Sequence, residues 1–141
     1  MPDIVLNADT MGMITAFETV TGAMVKDCID GPEKVIFVIS PGNIGQAVGK
    51  NGKNIEYLKG LFKKSVQIIE YSDQPEQFVK NVFRNYDVKK VEIEQRGNVT
   101  HATVTVNPLF KAKAIGKAGK NLKLARDIIS RHHKIESVNV A

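Results

Sequence analysis

One short phrase occurs twice in this chain of 141 residues, and it constrains the fold more than any other feature. Val48-Gly49-Lys50-Asn51-Gly52-Lys53-Asn54 returns as Ile115-Gly116-Lys117-Ala118-Gly119-Lys120-Asn121, at an offset of 67 residues. The same offset carries Pro41 onto Pro108, Ala47 onto Ala114 and Ile55 onto Leu122. A chain of this length normally forms one domain. The repeat instead predicts two domains, residues 1–72 and 73–141, each near the lower size for independent folding.

The hydrophobic periodicity gives each half the same order of elements. In the first half, Ile14 and Phe17 share a helical face over residues 10–18, with Gly22 as a stop. Met24–Ile29 and Val35–Ile39 read as a hairpin around Asp30-Gly31-Pro32. A short helical stretch over 42–48, the Gly49–Gly52 loop and a helix over 53–63 come next, the last with Ile55, Leu58 and Phe62 on one face. Val66, Ile68 and Ile69 make a strand. The second half begins after Ser72-Asp73-Gln74, with Pro75 suited to a first helical turn. Phe78, Val79, Val82 and Phe83 form a helical stripe. Residues 91–95 and 99–106 are strands around Arg96-Gly97-Asn98. Pro108 opens a short helix, Gly116–Gly119 is the loop, Lys120–Ser130 is a helix with Leu122, Ala125 and Ile129 inward, and Ile135–Val140 is a strand. Each half therefore reads α-β-β-α-α-β, an α+β fold with a three-stranded sheet packed on helices.

Charge is uneven between the halves. Residues 1–72 hold 7 Lys/Arg against 8 Asp/Glu, whereas residues 73–141 hold 13 against 7. A partner of negative charge contacted mainly by the second half is expected. Residues 111–134 carry eight Lys/Arg and one acid, Asp127, and residues 50–64 carry five Lys and one acid, Glu56. Cys28 is the only cysteine, so neither a disulfide framework nor a cysteine metal site is expected. It reads as a buried apolar residue of a cytoplasmic protein. The longest apolar run, Val35–Ile39, is too short to cross a membrane, and Met1-Pro2-Asp3 opens no signal peptide. Asn98-Val99-Thr100 matches a glycosylation sequon by chance.

Two glycines three residues apart let the chain turn sharply between helices and bring bare backbone close to a ligand. The helix that begins at the second glycine presents unsatisfied N–H groups and a positive dipole end. Gly49, Lys50, Asn51, Gly52 and Lys53, with Gly116, Lys117, Ala118, Gly119 and Lys120, are therefore the candidate contacts to a phosphate backbone. Recognition of that kind ignores base sequence. Ile44, Ala47, Val48, Asn54 and Ile55, and Ala112, Lys113, Ile115, Asn121 and Leu122, are candidates for the adjoining groove.

Other chemistries find little support. Gly45 and Gly49 are too closely spaced for a nucleotide-binding P-loop, and Lys50 precedes Asn51 instead of a hydroxyl residue. His101 falls on a strand. His132 and His133 end a helix beside Arg131 and Lys134, where they complement the dipole and stand ready to touch phosphate. No metal, no cofactor and no catalytic set is expected. Aromatic residues are few and fall on core phases, which argues against a fold that stacks bases on exposed rings.

Ile44-Gly45-Gln46-Ala47-Val48-Gly49-Lys50-Asn51-Gly52-Lys53-Asn54-Ile55 resembles the core motif of KH domains, and Ala112 to Leu122 resembles a second copy. The resemblance implies two tandem type II KH domains, each clamping about four nucleotides of single-stranded nucleic acid at its loop. More closely, Val38-Ile39-Ser40-Pro41-Gly42-Asn43-Ile44-Gly45 and Ala114 to Asn121 are similar to the KH pair of archaeal NusA-like proteins. Membership of that family implies a monomeric single-stranded RNA-binding protein of transcription elongation or termination. Single-stranded DNA is an alternative ligand and RNA polymerase a candidate partner. Bacterial members carry a polymerase-binding domain and an S1 domain for which 141 residues leave no room, so the polymerase-linked activities carry over less well than RNA binding. Two rivals stay open: a structural KH protein of a ribonucleoprotein, and a protein-interaction module with vestigial loops. The role of the acidic, Met-containing start (Asp3, Asp9, Met11, Met13) stays open as well.

Overall fold

The computed structural model describes residues 8–141, so Asp3 and the side chain of Asp9 fall outside it. The chain divides into two compact units between Tyr71 and Ser72.

The first unit comprises α1 (Ala8–Thr21), β1 (Val25–Asp30), β2 (Lys34–Ile39), α2 (Ile44–Val48), α3 (Lys53–Phe62) and β3 (Ser65–Glu70). Helix α1 is longer at both ends than its apolar spacing predicts. Its threonines explain part of this: the hydroxyls of Thr15, Thr19 and Thr21 donate to the carbonyls of Met11, Thr15 and Phe17 and so stay within the helix. Gly22 ends it at φ 72°, with its N–H on the Glu18 carbonyl at 2.8 Å. Strands β1 and β2 pair antiparallel, with a register shift between Val25 and Asp27, and β3 joins β2 in parallel. Parallel pairing after a hairpin requires a crossover, and α2, the loop and α3 are that crossover. The core gathers Phe17, Cys28, Val35, Phe37, Ile39, Ala47 and Leu58. The rings of Phe17 and Phe37 stack at 4.2 Å, and burying each contributes about 2–3 kcal/mol.

Lys34 opens β2, and its Nζ donates to Gln67 Oε1 on β3 at 2.6 Å. Burial pushes its ammonium down to about 8 from 10.5. Between those two values the unfolded chain keeps a proton that the folded chain has lost, so stability rises with pH across that window. Allowing for screening by the exposed part of the side chain, the gain is about 1–2 kcal/mol. The urea midpoint is expected to rise from pH 8 to pH 10 and to do so less in Lys34→Met; parallel curves for the two proteins would contradict this.

The second unit comprises α4 (Pro75–Val82), β4 (Val88–Arg96), β5 (Val99–Val106), α5 (Lys111–Ile115), α6 (Lys120–His132) and β6 (Ser137–Val140). Pro75 occupies the first turn of α4. The sheet order β4-β5-β6 repeats the first unit: an antiparallel hairpin with a parallel third strand. Strand β4 starts three residues earlier than its apolar pattern predicts, because Lys89 and Lys90 pair as edge residues around a register shift at Val88–Lys90. Phe78, Phe83, Val104, Ala114, Ile128, Ile129 and Ile135 are fully or nearly fully buried. His132 and His133 are structural and do not await phosphate. His132 is buried edge-on against Phe78 at 5.6 Å, and the His133 ring lies 5.3 Å from Phe78 with Nε2 at 2.8 Å from the Ser72 carbonyl oxygen. Both units thus have the order α-β-β-α-α-β expected of two KH domains in tandem.

Candidate nucleic-acid interface

Each crossover breaks at the repeated phrase. Helix α2 closes with the Gly49 N–H on the Gly45 carbonyl at 3.0 Å, and α5 closes with Gly116 on Ala112 at 2.8 Å. The backbone then leaves helical space. Gly49 stands at φ 77°, ψ 169° and Gly116 at 80°, 167°. Asn51 lies at 56°, 30° and Ala118 at 56°, 26°. Gly52 and Gly119 lie at 71°, 19° and 73°, 12°, after which α3 and α6 begin at Lys53 and Lys120. Two separate stretches of sequence therefore fold into one loop shape.

The two glycines of each loop have different roles. A Cβ on Gly116 would lie 2.7 Å from Asn121 Cβ and 2.8 Å from its backbone nitrogen, and one on Gly49 would lie 2.9 Å from the amide of Asn54. The first glycine thus lets the next helix fold back against the loop. Around Gly52 and Gly119 nothing lies within 4 Å of an added Cβ, so the side on which a ligand approaches is open. Neither α3 nor α6 has a side-chain cap on its first N–H groups, which leaves those donors to an anion. Lys50, Lys53, Lys117 and Lys120 are exposed. Among the described residues, none of them has a carboxylate at ion-pair distance.

The groove candidates separate into three groups. Ile44, Val48, Ile55, Ile115 and Leu122 are half-buried beside the loops, and Ala112 and Lys113 are exposed. Ala47 is fully buried in the core and cannot line a groove; the small residue lets α2 sit against the sheet. Asn54 and Asn121 turn inward. Asn54 Nδ2 donates to the Gln46 carbonyl at 3.1 Å and Asn121 Nδ2 to the Ala114 carbonyl at 2.7 Å. Each ties the helix after the loop to the helix before it, so these two residues hold the loop's shape.

Sequence reasoning missed Tyr86. It lies in the turn Arg84–Tyr86 between α4 and β4, and its hydroxyl hydrogen-bonds the Asn121 side chain, while burial raises the phenol's pKa. The equivalent position of the first unit is Thr19, which bonds within its own helix instead. The second loop is braced from outside the crossover in a way the first is not. No periodicity signals such a residue.

Position 118 supplies a prediction. Asn tolerates the left-handed region and alanine does not. Ala118→Asn, which copies the first loop, is expected to stabilise the second unit by about 0.5–1 kcal/mol, read as a higher melting temperature. A lower melting temperature would mean that the loop relaxes out of this conformation in solution.

No helix among the described residues is long and apolar enough to cross a membrane. Residues 75–141 match the family model described as NusA-like second KH domain, and residues 13–73 match the one described as KH domain. Over 137 residues the chain is 36% identical to a "Probable transcription termination protein NusA" of Methanococcus vannielii, with 97% of this chain and 79% of that one covered. A protein of the same name from Thermoplasma acidophilum is 31% identical over 140 residues, covering 99% and 97%. Among solved structures, the crystal structure of APE1850 superimposes with a TM-score of 0.76 at 30% identity, covering 96% of this chain and 100% of that one.

Proposed function

We propose a function for this chain, which belongs to the archaeal NusA-like proteins with two KH domains: it is a transcription termination or elongation factor that holds single-stranded RNA at two backbone clamps. The observation that carries the reading is the doubled loop. Two loops of one backbone shape each open a helix with uncapped N–H groups, and each is flanked by two lysines without carboxylate partners among the described residues. In this reading a phosphate lies against Gly52 or Gly119, where nothing obstructs it. Lys50 and Lys53, or Lys117 and Lys120, hold it by charge. Gly49 and Gly116 with Asn54 and Asn121 keep the loop in shape. Ile44, Val48 and Ile115 offer aliphatic surface to the bases. With about four nucleotides per KH domain, the protein holds about eight.

The chain works as a binding protein without a catalytic step. It acts as a monomer in the cytoplasm, and RNA polymerase is the protein partner the family implies. Equilibrium binding to one sequence as single-stranded RNA, as duplex RNA and as single-stranded DNA tests this. The expected result is a preference of about tenfold or more for single-stranded RNA over the duplex. Equal binding of the duplex would favour a structural role in a folded ribonucleoprotein. No binding to any of the three would favour a protein-interaction module.

A further inference from the structure

Helix α6 runs away from the second loop with its charges arranged against its own stability. Lys120 occupies the first helical position, and the first turn contains no acid, so a cation sits at the positive end of the dipole. Lys123 and Arg126 stand at successive three-residue steps, where like charges on a helix repel, and Lys134 stands just past the last turn. All four are exposed. Asp127, half-buried, is the one acid among them, yet among the described residues no ion pair joins it to any of the four.

Elsewhere exposed cations are compensated. Lys59 pairs with Glu56, Lys80 with Glu76, Lys89 with Asp87, Lys90 with Glu92 and Arg96 with Glu94. Helix α3, the counterpart of α6, has Glu56 in its first turn and turns Tyr57 and Leu61 outward. The stripe is therefore neither a property of the repeated fold nor the surface habit of this protein. A helix of 13 residues spans about 20 Å, well beyond the reach of a single loop.

We infer that the exposed face of α6 is a further binding site: a track for the phosphates of the RNA strand that continues past the Gly116–Gly119 loop. The inference rests on the RNA-binding reading and deepens it. The ligand is recognised by charge alone, so the track adds affinity and salt dependence without base preference. It lengthens the footprint in one direction, because the first unit has no such face.

The test compares two triple variants that lose the same charge. Lys123→Gln, Arg126→Gln and Lys134→Gln alter the track; Lys80→Gln, Lys89→Gln and Lys90→Gln alter paired cations of the same unit. Binding of a sixteen-nucleotide random-sequence RNA is measured across a salt series, with thermal unfolding in parallel. The track variant is expected to bind about tenfold more weakly, with the slope of log K against log salt reduced by about two, and to melt no lower than the unaltered protein because repulsion has been removed. The control variant is expected to change little in either. Equal losses in the two variants, or an unchanged slope in the track variant, would overturn the inference while leaving the clamps intact. Failure of the unaltered protein to bind the RNA would remove the clamp reading and the track together.

Discussion

Loss of single-stranded RNA binding by at least about a hundredfold is the expected result of exchanging Lys50, Asn51, Lys117 and Ala118 for aspartate together. The change reverses the field at the mouth of both loops and leaves everything beneath them untouched. Its strength as a test lies in the backbone. All four residues are exposed, so no core contact is lost. Asn51 and Ala118 sit at φ 56°, which aspartate tolerates better than alanine does. Neither lysine contributes an ion pair among the described residues. The variant should therefore keep the circular dichroism spectrum and melting temperature of the parent. Binding that survives in a folded variant would dismiss the loops as clamps. The half-variants should be unequal, with Lys117→Asp and Ala118→Asp together the more damaging pair, because the second unit holds most of the uncompensated cations.

Gly116→Ala should be the most destabilising glycine substitution in either loop, at about 3 kcal/mol or more. Its φ and ψ of 80° and 167° fall in a region essentially restricted to glycine. The added methyl would also meet a backbone nitrogen 2.8 Å away, at the start of a helix with no freedom to retreat. Gly49→Ala should be milder, since the nearest atoms belong to the Asn54 side chain. Gly119→Ala and Gly52→Ala meet no neighbour and should cost about 1–2 kcal/mol of backbone strain. A unit of about 70 residues commands on the order of 4–10 kcal/mol, so Gly116→Ala should leave the second unit largely unfolded near 40 °C. Melting temperatures of the four variants give the order, and a Gly119→Ala protein less stable than Gly116→Ala would contradict it.

The order of elements was legible because both units bury their helices and strands with clean periods. Val35–Ile39 could only be an interior strand, and the stripe of Phe78, Val79, Val82 and Phe83 could only be a helix. Boundaries were less so. Polar residues that pair at a sheet edge, such as Lys89 and Lys90, and threonines that bond within α1 carry no apolar period. The repeated loop was found from its glycines and lysines. What held it was not, because Asn54, Asn121 and Tyr86 act through hydrogen bonds to groups seven or more residues away, and such bonds leave no pattern along a chain. Ala47 misled for a related reason: its neighbours line a surface, but a five-residue helix turns one side chain fully inward.

The register shifts in β1 and β4 have a consequence beyond geometry. Both are antiparallel edge strands, and β4 carries Lys89, Lys90, Glu92, Glu94 and Arg96 along its length. A kinked edge that alternates charge makes a poor template for a neighbouring chain. A protein that lines up along a polymer meets copies of itself at high local concentration. On such a filament, these edges favour side-by-side crowding without fusion into a shared sheet, and the bound array can come apart one molecule at a time.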